Sequence, residues 1–265
     1  MNATSTFLGY DQLSKPVGGC RLALTGYAPE APLEEWHAHV QASLSFLLSG
    51  THREELAGRR LNRQPGEIKF IAAGQAHRCS HYAPDTRKIN LDLSPATLYE
   101  LGIGEAQIPA LLGQSPQAKF TLLKLYHELA GADTTVPASA QLLLYELFFP
   151  RPQRPSTASR MPPAWVKVLT ELLHDEWQDK FDLAELARKI GLHPVSLSRY
   201  FPQYFARTLG QYITRLKVEK ALALIKGSGQ SLTAIAYGCG FADQSHFTRS
   251  FKEVTGYLPG AFRKL

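Results

Sequence analysis

The sequence predicts a multidomain α+β protein: an N-terminal antiparallel β-barrel with following helices, then an all-α C-terminal domain built on a duplicated helical unit. Three observations predict it. Short strand-like runs divided by turn signals fill residues 20–93. A proline-rich segment at residues 150–163 breaks the chain. Beyond it the apolar periodicity is helical, and one spaced pattern of Leu, Ala, Gly, Arg and Phe occurs twice.

Bulk properties bound the function classes. With 265 residues, 44% of them hydrophobic, the chain can bury a core and is not a disordered protein overall. No run approaches the roughly 18 apolar residues that suggest a membrane span. The start, "MNATSTFLGYDQLSK", lacks the basic-then-apolar order of a secretory signal. Cys20, Cys79 and Cys239 have no C-x-x-C spacing, which speaks against a disulfide scaffold and a cysteine zinc site. A reducing, cytoplasmic location is expected. Net charge is +6, but residues 183–265 hold 12 Lys/Arg against 4 Asp/Glu, or +8, which leaves 6 − 8 = −2 elsewhere. The positive field lies where a nucleic-acid domain would carry it.

Along the first part, "CRLALTGY", "SLSFLLSG", "GEIKFIAAG" and "RKINLDLS" read as strands, and "GRRLNRQPG", Gly50, Gly74 and "APD" as turns. Glu54, Glu55, Arg59 and Arg60 read as a solvated hairpin tip. Residues 1–94 are thus the expected barrel. Residues 95–149 turn helical in "PATLYELG", "AKFTLLKLYHELAG" and "ASAQLLLYELFF". Leu122, Leu125, Tyr126 and Leu129 share one face, for packing on the barrel or for dimerisation. Residues 150–163 cannot form a helix or a central strand and read as a linker.

Residues 164–265 form the expected helical domain. "AWVKVLTELLHDEWQ" is amphipathic. "DLAELARKIG" opens on a capping box from Asp182 to Glu185 and closes at Gly191. "HPVSLSRYF" has Pro194 in its first turn, where the missing N–H is harmless. A helix of about five turns runs from Thr208, boxed with Gln211, to the Gly227–Gly229 stop. "SLTAIAYGCG" and "DQSHFTRSFKEVTG" complete the set.

The repeat carries the functional reading. Leu183, Leu186, Ala187 and Gly191 recur as Leu232, Ile235, Ala236 and Gly240, 49 residues on. His193, Leu197, Arg199 and Phe201 recur as Asp243, Phe247, Arg249 and Phe251, 50 residues on. Each copy is a helix, a glycine turn and a second helix, the arrangement of a helix-turn-helix. Leu197 with Phe201, and Phe247 with Phe251, pair at i, i+4 and must face the core. Val195, Ser198 and Arg199, and Ser245, Thr248 and Arg249, then face outward. Arg can grip guanine O6 and N7 bidentately, and Ser or Thr can serve bases or phosphates. The bland reading of Arg199 and Arg249 is a surface salt bridge. The connecting helix, near 28 Å at the usual rise, could set two reading helices about one DNA turn apart.

The run from about 165 to 263 resembles the AraC/XylS-type DNA-binding domain of bacterial transcription regulators. The matching stretches are "LAELARKIGLHPVSLSRYF", "RLKVEKALALI" and "SLTAIAYGCGFADQSHFTRSFKEVTGYLPGAFR". The resemblance implies double-stranded DNA as partner. Contacts are expected from Val195, Ser196, Ser198, Arg199, Gln244, Ser245, Thr248, Arg249 and Lys252. It also implies a small-molecule effector, a homodimer and contact with RNA polymerase. Pro202 departs from the family pattern, and it predicts that the first reading helix ends or kinks there.

"EEWHAHVQASLSFLLSG" and "PGEIKFIAAGQAHRCSH" resemble the two motif regions of cupin barrels. The position of the cupin metal-binding Glu falls on Ser43 or Leu44, neither a usual ligand. His37, His39 and His77 are therefore expected to line an effector site or the core, with no cofactor; three imidazoles could still hold Zn²⁺ or Fe²⁺. No nucleophile–base spacing or phosphate loop marks an enzyme. The main expectation is an effector-responsive transcription regulator. The alternatives are a metal-dependent cupin enzyme fused to a DNA-binding module, and non-specific nucleic-acid binding by charge alone.

Overall fold

The computed structural model describes residues 3–4, 9–29, 33–56, 58–115, 117–131, 138–149, 162–177 and 181–265. The chain divides into two units, one built on residues 1–149 and the other on 150–225 with 229–264. Most of the expected linker, residues 150–161, lies outside the described residues.

In chain order, the first unit holds β1 (Ala3–Thr4), β2 (Tyr10–Val17), β3 (Cys20–Tyr27), β4 (Ala38–His39), β5 (Ala42–Ser49), β6 (His52–Leu56), β7 (Arg59–Arg63), β8 (Ile68–Ile71), β9 (His77–Ser80) and β10 (Thr86–Leu93). It then holds α1 (Pro95–Glu100), α2 (Ile108–Gln114), α3 (Ala118–Ala130) and α4 (Ala138–Phe148). One antiparallel sheet has the order β2-β3-β10-β5-β8 and another β7-β6-β9; β1 and β4 form a short parallel pair. β10 lies between β3 and β5, and its apolar residues Ile89, Leu91 and Leu93 are buried. β2 and β3 are closed by Gly18-Gly19, with φ of 50° and 74°, the two left-handed positions a tight primed hairpin turn needs.

All four strands expected from apolar runs are present. The turn expectation for "GRRLNRQPG" is corrected: Arg59–Arg63 is the edge strand β7, exposed along most of its length, so its side chains carry no apolar signal. Glu54 is corrected too. β6 alternates, and His52, Glu54 and Leu56 point inward while Arg53 is exposed. Glu54 is 2% exposed and is paired with Lys69 and Arg63. Glu55, on the other face, binds Arg78 and Arg60.

The predicted face of α3 is buried inside the unit, with Leu122, Leu125 and Leu129 at 0% exposure and Tyr126 nearly so. Its main packing partner is α4. On α4 itself, Leu142 and Tyr145 remain exposed.

The second unit holds α5 (Ala164–Asp175), α6 (Leu183–Lys189), α7 (Pro194–Phe205), α8 (Leu209–Gly227), α9 (Leu232–Gly238), α10 (Gln244–Thr255) and α11 (Pro259–Lys264). α5, α6, α7 and α8 enclose one core, with Leu169, Leu173, Leu186, Leu197, Phe201 and Leu216 buried. Ile235, Phe247, Phe251 and Phe262 are buried around α9, α10 and α11, and the ring of Phe251 lies 5.6 Å from Phe247 and 5.5 Å from Phe262. Pro202 does not end its helix. α7 continues to Phe205, and the left-handed residue Ala206 donates its N–H to the Pro202 carbonyl at 3.0 Å. Proline lacks only a donor, so its carbonyl still caps the last turn, and its ring lies on the exposed side.

Candidate nucleic-acid interface and ligand site

The duplicated pattern folds as a duplicated structure. Asp182 accepts the N–H of Glu185 at 2.9 Å to start α6, and Ser231 accepts that of Ala234 at 3.1 Å to start α9. Both first helices stop in the same way. The N–H of Leu192 reaches the Ala187 carbonyl at 2.8 Å, and that of Phe241 reaches Ala236 at 3.0 Å. Gly191 and Gly240 take φ of 70° and 72° in these Schellman turns, a conformation that costs other residues energy. The second helices are capped by His193, through Val195 N–H at 3.3 Å, and by Asp243, through His246 N–H at 2.7 Å. That hydrogen bond holds the Asp243 carboxyl below its ordinary range. Both second helices end on a left-handed residue, Ala206 and Gly256. Lys217 of α8 donates to the Gly240 carbonyl at 2.8 Å, tying the long helix to the second turn.

The faces sort as the spacing predicts. Leu197, Phe201, Phe247 and Phe251 are all at 0% exposure. Val195, Ser198 and Arg199 are exposed, with Ser196 half-buried. Gln244, Ser245, Arg249 and Lys252 are exposed, with Thr248 half-buried. The Gln244 side chain accepts the Thr233 hydroxyl at 2.6 Å, so its carbonyl is held against α9. Among the described residues, neither Arg199 nor Arg249 has a carboxylate within salt-bridge distance. The salt-bridge reading of these two arginines thus finds no partner among the described residues; the Arg199 guanidinium lies 5.9 Å from the centroid of the neighbouring Tyr200 ring.

In the first unit, His37, His39 and His77 come together, all buried. His37 and His77 face each other across a backbone bridge, with N–H···O distances of 3.0 and 2.9 Å in the two directions. Their ring centroids lie 4.4 Å apart, and His39 is 5.2 and 5.0 Å from them. His37 Nδ1 lies 3.0 Å from the Glu35 carbonyl and His77 Nδ1 3.1 Å from the Gln75 carbonyl. A carbonyl can only accept, so each Nδ1 carries a proton, and in a neutral ring Nε2 is then the atom with the lone pair. Burial pushes the His77 pKa down and favours the neutral ring.

The ligand atoms of the three residues lie within 4.8 Å of one another. A tetrahedral Zn²⁺ with bonds near 2.1 Å spaces its ligands by about 3.4 Å, so small ring movements would close the site. The donor set suits a first-row divalent ion. Ser43, one of the two residues on which the cupin carboxylate position falls, is fully buried, and its Oγ has no hydrogen-bond partner among the described residues.

A cavity of about 40 Å³ adjoins His39 and His77, with Glu54, Lys69, Lys88 and Asn90 on its walls. Sequence reasoning missed Glu54, Lys69 and Lys88. The Lys88 ammonium lies 4.4 Å from the Tyr27 ring and 5.1 Å from that of Tyr82. His52, also on the wall, has its pKa lowered to about 2, chiefly by burial and then by Lys88. A second cavity of about 290 Å³ touches His39, Arg21, Gln41 and Asp92.

Comparison with known proteins bears on the second unit most directly. The helix-turn-helix domain family matches residues 186–265. The chain is similar to the HTH-type transcriptional activator RhaS of Escherichia fergusonii, with 28% identity over 149 residues, 56% of this chain and 54% of that protein. It is similar to RhaS of Shigella sonnei over 94% of each chain, at 24% identity. Among solved structures, an AraC-type regulator from Chromobacterium violaceum is 21% identical over 38% of this chain and 89% of its own, with a TM-score of 0.36. No helix among the described residues is long and apolar enough to cross a membrane. The repeated capped units, the helix-turn-helix match over residues 186–265 and the similarity along the chain to transcriptional activators make this protein a DNA-binding transcriptional regulator.

Proposed function

We propose that the regulator reads two successive major grooves with one chain. α7 would present Val195, Ser196, Ser198 and Arg199, and α10 would present Gln244, Ser245, Thr248, Arg249 and Lys252. α8 spans 19 residues, about 28 Å at 1.5 Å per residue, which suits reading helices one DNA turn apart. The observation that carries this reading is the pair Arg199 and Arg249. They occupy equivalent positions of two similarly capped helices, exposed and, among the described residues, without carboxylate partners.

The two antiparallel sheets of the first unit are read as a cupin-like barrel, with His37, His39 and His77 as its effector site. Residues 95–149 serve as the dimerisation region, through the exposed Leu142 and Tyr145 of α4. Residues 150–163 act as the linker. The curated relatives are named as transcriptional activators, which favours a productive contact with RNA polymerase here, in the cytoplasm. The role assigned to the first unit is sensing rather than catalysis. An effector changes DNA affinity only by binding the two states unequally.

Arg199→Ala and Arg249→Ala test the reading face. Each should cost roughly 1–3 kcal/mol of discrimination between operator and mismatched DNA, measured by competition binding at fixed salt. The double variant should bind all duplexes alike. Selectivity unchanged in the double variant would mean that other residues read the bases.

A further inference from the structure

We infer that the first unit binds a small monovalent anion, a halide or a carboxylate of formate size, beside the buried Lys88 ammonium. The inference does not depend on the sensor reading of the histidine cluster. Its ground is a buried charge without a counter-charge. Lys88 lies on β10, inside the five-stranded sheet, and is only 7% exposed. Lysine is almost never buried so deeply unless it is paired. Among the described residues no carboxylate lies within salt-bridge distance of it. Its ammonium instead lies 4.4 Å from the Tyr27 ring and 5.1 Å from that of Tyr82, and these two rings are stacked. Ring faces attract a cation but carry no net charge. Glu54, on the wall of the same cavity, is paired with Lys69 and Arg63. Glu34 accepts the Tyr82 hydroxyl and the Cys79 N–H.

The strand period turns Lys88 and Asn90 to one face of β10, and both line the inner cavity together with His52. His52 Nδ1 is buried and has no hydrogen-bond partner among the described residues. Burial, and then Lys88, hold the His52 pKa down to about 2. The neutral ring offers one N–H without adding charge. The cavity wall carries Arg63, Lys69 and Lys88 against Glu54. Arg63 has Glu67 as a further partner, which leaves one positive charge over. One excess charge calls for one monovalent anion. Volume then sets its size. A water-sized group needs roughly 10–15 Å³ of cavity, so about 40 Å³ holds chloride or the three heavy atoms of formate. Drug-sized ligands occupy several hundred Å³. Burying an ion is costly unless it is paired, so the anion should favour the folded chain over the unfolded one and stabilise it.

The test is thermal unfolding of the full-length chain at constant ionic strength, with gluconate replaced stepwise by formate or by chloride. Gluconate is too large for a cavity of about 40 Å³. Above the dissociation constant, each tenfold increase in the small anion should raise the midpoint by roughly 3–5 °C. Lys88→Met, which keeps the chain length and loses the charge, should show no such rise. Arg59→Gln, on the exposed edge strand β7, should show the wild-type rise. A rise with formate alone identifies the anion as a carboxylate, and a rise with chloride alone as a halide. A wild-type midpoint indifferent to both anions overturns the inference, and so does an equal rise in Lys88→Met. If Lys88→Met loses its cooperative transition, Lys88→Gln, which keeps a polar head in the cavity, is read in its place.

Discussion

Glu54 sits between the Lys69 ammonium and the Arg63 guanidinium, and all three side chains are at most 15% exposed. Removing one member of such a buried group leaves an uncompensated charge. Glu54→Ala should destabilise the first unit by about 3–5 kcal/mol, read by urea unfolding. Pairing it with Lys69→Met should recover much of that loss, because the stranded cation goes too. Burial already pushes the Lys69 pKa down, so the lone ammonium would be the costlier partner to keep. Asp243 offers a pH test. Its carboxyl is held low by the N–H of His246. A depressed folded-state pKa gives stability that is present above the unfolded value, near 3.9, and lost as pH falls through the folded one. Wild-type stability should therefore fall more between pH 5 and 2 than that of Asp243→Asn, which keeps a cap acceptor but does not titrate. Equal pH slopes would mean that the carboxylate contributes nothing there.

Helices and strands differed in how plainly the sequence showed them. The caps at Asp182 and Asp243 and the glycines at 191 and 240 are local signals, and each did what its residue type dictates. The four apolar strands were equally plain. β6 and β7 were hidden for a physical reason: β6 points His52 and Glu54 into a polar interior, and β7 is an exposed edge. Apolar alternation marks a strand only where one face meets an oily core. The histidine cluster was half legible. His37 and His39 share a face by strand period, but their meeting with His77 is a tertiary fact. The cavity lysines gave no signal at all, since charged residues on short strands read as solvated. Pro202 was legible as an anomaly and misleading as to outcome. Its lost hydrogen bond still has a cost: Pro202→Ala should stabilise the second unit by about 1–3 kcal/mol, measured by thermal melting. A loss of stability instead would show that the proline ring packs better than its exposed setting indicates.

For the whole molecule the claim is that one chain carries two equivalent readers. The +8 balance over residues 183–265 supplies attraction to any duplex, and that part weakens steeply with salt. Sequence preference must come from the paired outward faces of α7 and α10. The most direct measurement is selection from random duplex DNA by the purified chain at about 150 mM salt, where specific and non-specific binding separate. The account predicts enrichment of two short elements spaced by about one helical turn, roughly 10–10.5 base pairs. Enrichment of a single element, or of none, would contradict it.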